Sequence, residues 1–248
     1  MKRSFCMLLI LLLCLVLPVS VFAETYELSG TDMNIDFDTS GWYVFTRDNL
    51  ENNPELEELG LDYDEMHSLL YNNNAYLNAA LALSADDYIE LFVRKTAQTT
   101  GVANLTNYSK DELQEFATAL AEKQNTQVYS VYQNQYNFAK LEYKDANVDV
   151  FVYEFYTIVN KQNYTFTFQS ETEFTDEKRQ IAEQIIDGVK FNVDTSLNEP
   201  NDSGSSIITK TIGGAIVGGI AGGVGAIIGK RKAKKSHQAT PPQGPELD

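Results

Sequence analysis

The sequence predicts an α+β fold in which a mostly antiparallel sheet is covered by helices, an α/β/α sandwich, followed by one C-terminal transmembrane helix. Three observations predict this class. Short segments with alternating apolar and polar residues recur through the chain, as expected of strands. Amphipathic segments with helix-capping residues separate them. A charge-free, glycine-rich run then occupies residues 211–229.

The N-terminus, residues 1–23, is predicted to be a secretory signal peptide. A positively charged start precedes an apolar run at residues 8–17, and small residues stand where a signal peptidase would cut before Glu24. An uncleaved anchor helix is the alternative. Both cysteines, Cys6 and Cys14, lie in this segment. We therefore expect the mature chain to lack disulfides and to depend on core packing alone.

Two short strands and two short helices are predicted to open the exported domain. The alternation in Met33–Phe37 is typical of a half-buried strand, and the strand predicted over Trp42–Thr46 follows a Ser-Gly turn. Asn53 and Pro54 favour a helix start, because proline is tolerated at the first helical position. Capping-box spacing that begins at Asp62 predicts the second helix.

A hairpin and the most clearly marked helix are predicted to follow. Residues 76–83 and 88–95 form two arms around a Ser-Ala-Asp-Asp turn, although the Ala- and Leu-rich first arm also fits a helix. Ser109 and Glu112 have capping-box spacing. The residues after them form an apolar stripe at helical spacing: Leu113, Phe116, Ala117, Leu120 and Ala121.

The last part of the domain is predicted to be β-rich and to close with a helix. Strands are predicted at residues 128–136, 138–143, 147–159 and 164–168. The third of these is apolar on both faces, which indicates a central strand covered on both sides. Thr175 is the expected N-cap of the final helix, and Phe191 is expected to begin a short closing strand.

The order of these elements resembles the PsbP/Mog1-like α/β/α sandwich. More narrowly, it is similar to the uncharacterised extracytoplasmic lipoproteins and membrane proteins of Gram-positive bacteria that share this fold. The matching features are MNIDF…SGWYVFT, the acidic helical insert, the run VFVYEFYTIVNKQNYTFTFQS and the helix before VKF, within residues 26–193. Members of that fold mostly bind partners or assist assembly, and they offer no shared catalytic set to carry over, so the resemblance implies the fold and no function.

The glycine-rich segment predicts a membrane-spanning helix at residues 207–229, after a domain at 24–194 and a linker at 195–206. The uncharged run at 211–229 would span about 28 Å as a helix, close to a bilayer core of about 30 Å. A sortase-type wall anchor is the alternative, but the linker has no LPxTG-like motif. We expect a cell-membrane protein with its N-terminal domain outside and the tail, 230–248, inside.

Two sets of residues in this region are predicted to have functions. Small residues that recur every four positions favour helix packing in lipid and hence a homo- or hetero-oligomer. They are Gly214, Gly218 and Gly222, with Gly219 and Gly223 in a parallel row. Basic residues that follow the span are expected to contact the inner leaflet. They are Lys230, Arg231, Lys232, Lys234 and Lys235.

Charge is strongly partitioned along the chain. The whole protein carries −16, whereas residues 24–206 hold 33 acidic and 11 basic residues, a net charge near −22. Such a domain repels nucleic acid and anionic lipid and attracts cations or basic partners. The same acidity also keeps a surface domain soluble.

The sequence predicts neither a catalytic set nor a cofactor. The chain has two histidines, His67 and His237, too few for a zinc site of paired ligands, and His67 is expected on a helix surface. Asp32, Asn34 and Asp36 have the spacing of a calcium loop, but the required glycine and glutamate are absent. Strand alternation explains that pattern better.

The leading functional hypothesis is a non-enzymatic cell-surface protein whose acidic exported domain binds a ligand or protein partner. The alternative is a self-associating structural scaffold assembled through the glycine-rich helix. A third hypothesis is an extracytoplasmic enzyme with two carboxylates that only folding would bring together.

Overall fold

A computed structural model describes residues 23–84, 86–97 and 102–193, which form an α+β fold with mostly antiparallel strands and few helices. The predicted signal peptide up to residue 22, the linker, the predicted transmembrane helix and the tail lie outside the described residues. Within the described ranges, no helix combines the length and the apolar composition needed to cross a lipid bilayer.

The strands belong to two antiparallel sheets. In chain order they are β1 (Glu24–Leu28), β2 (Met33–Phe37), β3 (Trp42–Thr46), β4 (Ala75–Ala82), β5 (Tyr88–Ala97), β6 (Val128–Gln133), β7 (Asn137–Asp145), β8 (Val150–Val159), β9 (Gln162–Ser170) and β10 (Val189–Phe191). The large sheet has the order β3-β4-β5-β9-β8-β7-β6, and the small sheet has the order β1-β2-β10.

The helices begin at capping residues. They are α1 (Pro54–Leu59), α2 (Tyr63–Asn72), α3 (Lys110–Gln124) and α4 (Asp176–Asp187), with a short 3-10 helix at Leu105–Asn107. The side chains of Asn53, Asp62, Ser109 and Thr175 each accept a backbone hydrogen bond at the helix start. Because these caps satisfy amides that have no partner inside the helix, they fix the helix starts that the sequence predicted.

The large sheet is covered on both faces. On one face, the small sheet and α4 pack against apolar residues of β5, β8 and β9, including Leu91, Phe155 and Phe166. On the opposite face, α1 and α2 cover β3, β4 and β5, and α3 covers β7 and β8. The strand predicted to be central is β8, which is buried along almost its whole length.

Tight local geometry sets two of the connections. β8 and β9 form a hairpin whose two turn residues, Asn160 and Lys161, both have positive φ. Such a turn matches the twist of the paired strands. At the end of α4, a Cβ atom on Gly188 would overlap the carbonyl oxygen of Asp36 in β2. A residue without a side chain is therefore needed where α4 meets the small sheet.

The structure differs from the sequence prediction in two respects. Residues 24–28 form β1, a strand that was not predicted, because only Tyr26 and Leu28 give it an apolar face. The strands around Met33 and Phe191 pair in a separate small sheet and do not join the main one. The predicted hairpin is confirmed, because residues 76–83 lie mostly in strand β4, which pairs with β5, and the alternative of a helix is wrong.

Candidate ligand-binding cleft

A cleft of about 550 Å³ opens where the outer edges of the two sheets approach each other. β1 is an edge strand of the small sheet, and β3 is an edge strand of the large sheet. The loop after β3 and the start of α1 close the third side. We call it the Trp42 cleft, and its lining consists of Glu24, Tyr26, Thr39, Trp42, Val44, Asn49 and residues 51–55.

Trp42 forms an apolar wall of the cleft. Alternation along β3 turns Trp42 and Val44 toward the small sheet, while Phe45 faces the helices on the opposite side. The indole ring is only 9% exposed and packs edge-on against Phe37, with ring centroids 5.5 Å apart. Among the described residues, no side chain or carbonyl accepts a hydrogen bond from its N–H. The N–H is also not among the fully buried groups without a partner, so solvent or a ligand can reach it.

The outer backbone edge of β3 is occupied by side chains. Asn49 donates through Nδ2 to the carbonyl oxygen of Val44 (2.9 Å) and accepts through Oδ1 from the amide of Thr46 (2.7 Å). Glu55 Oε2 accepts from the amide of Val44 (3.3 Å). These side chains stand in for a neighbouring strand and so protect the edge. A ligand that does not displace these side chains cannot add to β3 as a new strand, so it must contact the side chains of the cleft.

The cleft is acidic. Its lining contains Glu24, Glu51 and Glu55, and none of its described residues is basic. Partial burial raises the pKa of Glu55; the hydrogen bond from Val44 opposes this effect, and the charges of Glu58 and Glu24 reinforce it. The lining therefore holds negative charge in a partly desolvated place.

Tyr26 extends the same arrangement along β1. Its hydroxyl donates a hydrogen bond to Glu24 Oε2 (2.7 Å). Burial is the largest cause of its raised pKa, followed by this hydrogen bond and the charge of Glu24. The phenol is therefore neutral at physiological pH and offers a ring face beside carboxylates.

A second group of polar residues is buried inside the large sheet. Glu90, fully buried on β5, accepts hydrogen bonds from Asn78 Nδ2 (2.8 Å) and Gln169 Nε2 (3.0 Å). Glu154, fully buried on β8, accepts one from the hydroxyl of Tyr143 (2.9 Å). These bonds join neighbouring strands, so the two carboxylates have a structural role in the sheet.

His67 lies in an exposed aromatic stack along α2. It stacks on Tyr71 with ring centroids 4.2 Å apart, and Tyr63 follows at 5.7 Å. The guanidinium of Arg47 lies between the rings of Tyr71 and Tyr76, 4.3 and 3.9 Å from their centroids. This position agrees with the predicted helix-surface role of His67.

The calcium-like spacing falls at β2. Asn34 and Asp36 lie in this strand, and Asp32 lies just before it. Lys190 on β10 forms an ion pair with Asp36. In the part of the chain that the structure describes, no group of three or more His, Cys, Asp or Glu side chains is placed to hold a metal ion.

The other predicted functional residues lie outside the described residues. They are the helix-packing glycines Gly214, Gly218, Gly219, Gly222 and Gly223 and the basic residues Lys230, Arg231, Lys232, Lys234 and Lys235.

Sequence reasoning in turn missed the Trp42 cleft. Its signals were the single tryptophan of the chain and the acidic stretch that starts at Glu51, but nothing local brings β1 beside them.

Comparisons with known proteins give a weak structural similarity. No family model matches the chain, and no curated protein matches it significantly. Among solved structures it is similar to cyanobacterial PsbP (CyanoP) from Synechocystis sp. PCC 6803, at 9% identity and a TM-score of 0.38, covering 70% of this chain and 95% of that one. This match names the same PsbP group that the sequence resembles, and at this identity and TM-score it carries no conclusion about function.

Proposed function

We propose that this protein is a single-pass cell-surface protein whose acidic exported domain binds a ligand or protein partner through the Trp42 cleft, without catalysing a reaction. The observation that carries the proposal is Trp42 itself. Its largely buried ring lines an open cleft, and its N–H has no acceptor among the described residues. Apolar surface with a few directed polar groups is the usual composition of a ligand site.

Sequence features support the proposed location. A signal peptide at 1–23, a glycine-rich span at 207–229 and a basic cluster behind it together favour an exported α/β/α domain anchored by one helix. β1 begins at Glu24, the residue that would follow signal cleavage. Maturation would then leave the first strand of the domain intact.

The proposal is tested with the full-length protein in lipid nanodiscs. Trp42 is the only tryptophan of the chain, so in nanodiscs built from a scaffold protein without tryptophan its emission reports the cleft directly. Pools of peptides and of neutral oligosaccharides are titrated, and at least one pool is expected to shift the emission saturably. In the Trp42→Phe variant, followed by calorimetry, the same pool is expected to bind more weakly.

Two results would contradict the proposal. If no pool changes the emission, the cleft does not act as a binding site. If the bound pool is converted into new products during incubation, the protein is an enzyme and the third hypothesis applies. Ligand recovered unchanged after release is the expected result.

A further inference from the structure

We infer that the occupant of the Trp42 cleft is a basic peptide segment, with a lysine or arginine side chain among the carboxylates and a backbone carbonyl at the indole N–H. This inference rests on the proposed function, because it names the ligand class of the same site. The partner is then a protein or peptide with an accessible basic residue.

The negative charge of the cleft indicates that the ligand carries a basic side chain. Glu24, Glu51 and Glu55 line the cleft with no basic residue among its described neighbours. Signal cleavage before Glu24 would create an α-amino group with one positive charge. The three carboxylates would still give the cleft a net negative charge. Because the described residues do not gather such acids into a metal-binding group, an elongated organic cation fits the cleft better than a bare metal ion.

The rings determine how the cation is held. Tyr26 and Trp42 offer aromatic surface beside the carboxylates. The aliphatic part of a lysine or arginine packs on such rings, while the charged end is attracted by the ring face and by neighbouring acids. A cleft of about 550 Å³ has room for one such side chain with its flanking backbone.

The indole N–H indicates that the ligand also carries a carbonyl oxygen. This donor lies on a residue that is only 9% exposed, yet it is not among the fully buried groups without a partner, so a ligand acceptor can reach it and replace solvent there. A polyamine or a free ammonium has none to offer, whereas each peptide unit carries a carbonyl oxygen. The same cleft therefore presents acceptors for a cation and a donor for a backbone, which together favour a peptide.

The test compares peptides that differ only in charge, again with the full-length protein in nanodiscs. Random decapeptide pools carry a central lysine or arginine, and the matched pools carry norleucine or citrulline there. Trp42 emission and calorimetry both report binding. The basic pools are expected to bind about two- to fivefold more tightly for each carboxylate they contact, and more weakly at high salt.

Charge variants locate the effect in the cleft. Glu51→Gln and Glu55→Gln are each expected to weaken the basic pools about two- to fivefold. Glutamine at position 55 keeps an acceptor for the amide of Val44. Asp111→Asn with Glu115→Gln lowers the negative charge by two on α3, which packs on the opposite edge of the large sheet, and is expected to leave affinity unchanged.

The outcomes separate the inference from the proposed function. If norleucine or citrulline pools bind as tightly as basic ones, or if the α3 variant weakens binding as much as the cleft variants, the inference is overturned. If only neutral oligosaccharides shift Trp42 emission, the cleft binds ligands but the basic peptide is wrong. If polyamines bind as tightly as the basic pools, the carbonyl requirement is wrong.

Discussion

Glu55 has two roles at the edge of β3. Its carboxylate accepts the amide of Val44, and its charge adds to that of the cleft. Burial raises its pKa above the value of an ordinary glutamate, so folding penalises the ionised form. The ionised carboxylate of Glu55 therefore adds negative charge to the cleft but lowers the stability of the folded domain.

This cost leads to a prediction for Glu55→Gln. The variant should unfold at a higher urea concentration than the natural protein at pH 7, because it keeps the acceptor and removes the penalised charge. A raised folded-state pKa means that the natural protein gains stability as pH falls through that pKa. The difference between the two proteins should therefore shrink on acidification toward about pH 4.3, the ordinary glutamate pKa.

Glu57 provides the control for this measurement, since it is exposed on the same helix. Glu57→Gln should change the urea midpoint little at either pH. A Glu55→Gln protein that is less stable than the natural one at pH 7 would show that the ionised carboxylate is required by the fold.

Lys178 is a buried cation with a full set of acceptors. Its side chain is 1% exposed, and Nζ donates to Asp87 Oδ1 (2.6 Å), Ser170 Oγ (2.9 Å) and Thr172 Oγ1 (2.6 Å). This network joins the start of α4 to β9 and to the β4–β5 connection. These acceptors take the place of water around the ammonium group of Lys178, whose burial without partners would cost free energy.

We predict that Lys178→Met destabilises the domain by about 3 kcal/mol, because it leaves buried acceptors and Asp87 without their cation. Urea unfolding followed by circular dichroism measures the loss. Lys110→Met, at an exposed position of α3, is the matched control and should be nearly neutral. Equal midpoints for the two variants would contradict the structural role of the network.

Asp87 gives this network a dependence on pH. Partial burial works against its ionisation, yet hydrogen bonds from Lys178 and Thr172 hold its pKa below the ordinary aspartate value. Its contribution to stability is therefore complete above about pH 3.9 and is lost as pH falls through the lower folded-state pKa. Asp87→Asn should flatten the acid limb of the stability curve, measured as urea midpoints from pH 5 to pH 2.

At the scale of elements, the contact between α4 and β2 depends on one glycine. A side chain at position 188 would overlap the carbonyl of Asp36, whose own amide donates to the carbonyl of Gly188 (3.0 Å). We predict that Gly188→Ala costs about 1–3 kcal/mol, because backbone must move on both sides. Gln180→Ala, exposed on the same helix, is the control, and thermal unfolding compares them. Equal melting temperatures would contradict the close approach.

The elements also show what could be predicted from sequence. Helix starts were predictable because a cap such as Ser109 with Glu112 acts within one turn. Strand β1 and the separate small sheet were not, because β1 pairs with β2 through few apolar positions and β10 joins it from the far end of the domain. The buried Glu90 could not be distinguished from an exposed strand residue until Asn78 and Gln169 were placed beside it.

At the scale of the whole molecule, the proposed anchor predicts helix association. If the span packs through its glycine rows, Gly218→Leu and Gly222→Leu should abolish the signal in a membrane dimerisation assay, because leucine keeps the backbones apart. Ile216→Leu and Ile220→Leu, about half a helical turn away from those glycines, should leave the signal unchanged. An unchanged dimerisation signal in the glycine variants would contradict the scaffold hypothesis.

The acidic charge of residues 24–206 was predictable from composition, but its concentration beside an indole was not. The Trp42 cleft is assembled from residues 24–26, 39–44 and 49–55, which lie on two different sheets. Sequence alone gives the net charge near −22. Only the folded edges show that part of this charge lines a cleft with an open hydrogen-bond donor.

The central claim is that Trp42 lies in an accessible and negatively charged cleft, and ionic quenching of its fluorescence tests this directly. Each ion's quenching constant is divided by its value for free N-acetyltryptophanamide at the same ionic strength. We predict that this normalised constant is larger for caesium ions than for iodide in the full-length protein, because the local field concentrates cations. Glu24→Gln with Glu55→Gln should reduce the difference. A normalised constant for iodide that equals or exceeds that for caesium, or no quenching by either ion, would contradict the account.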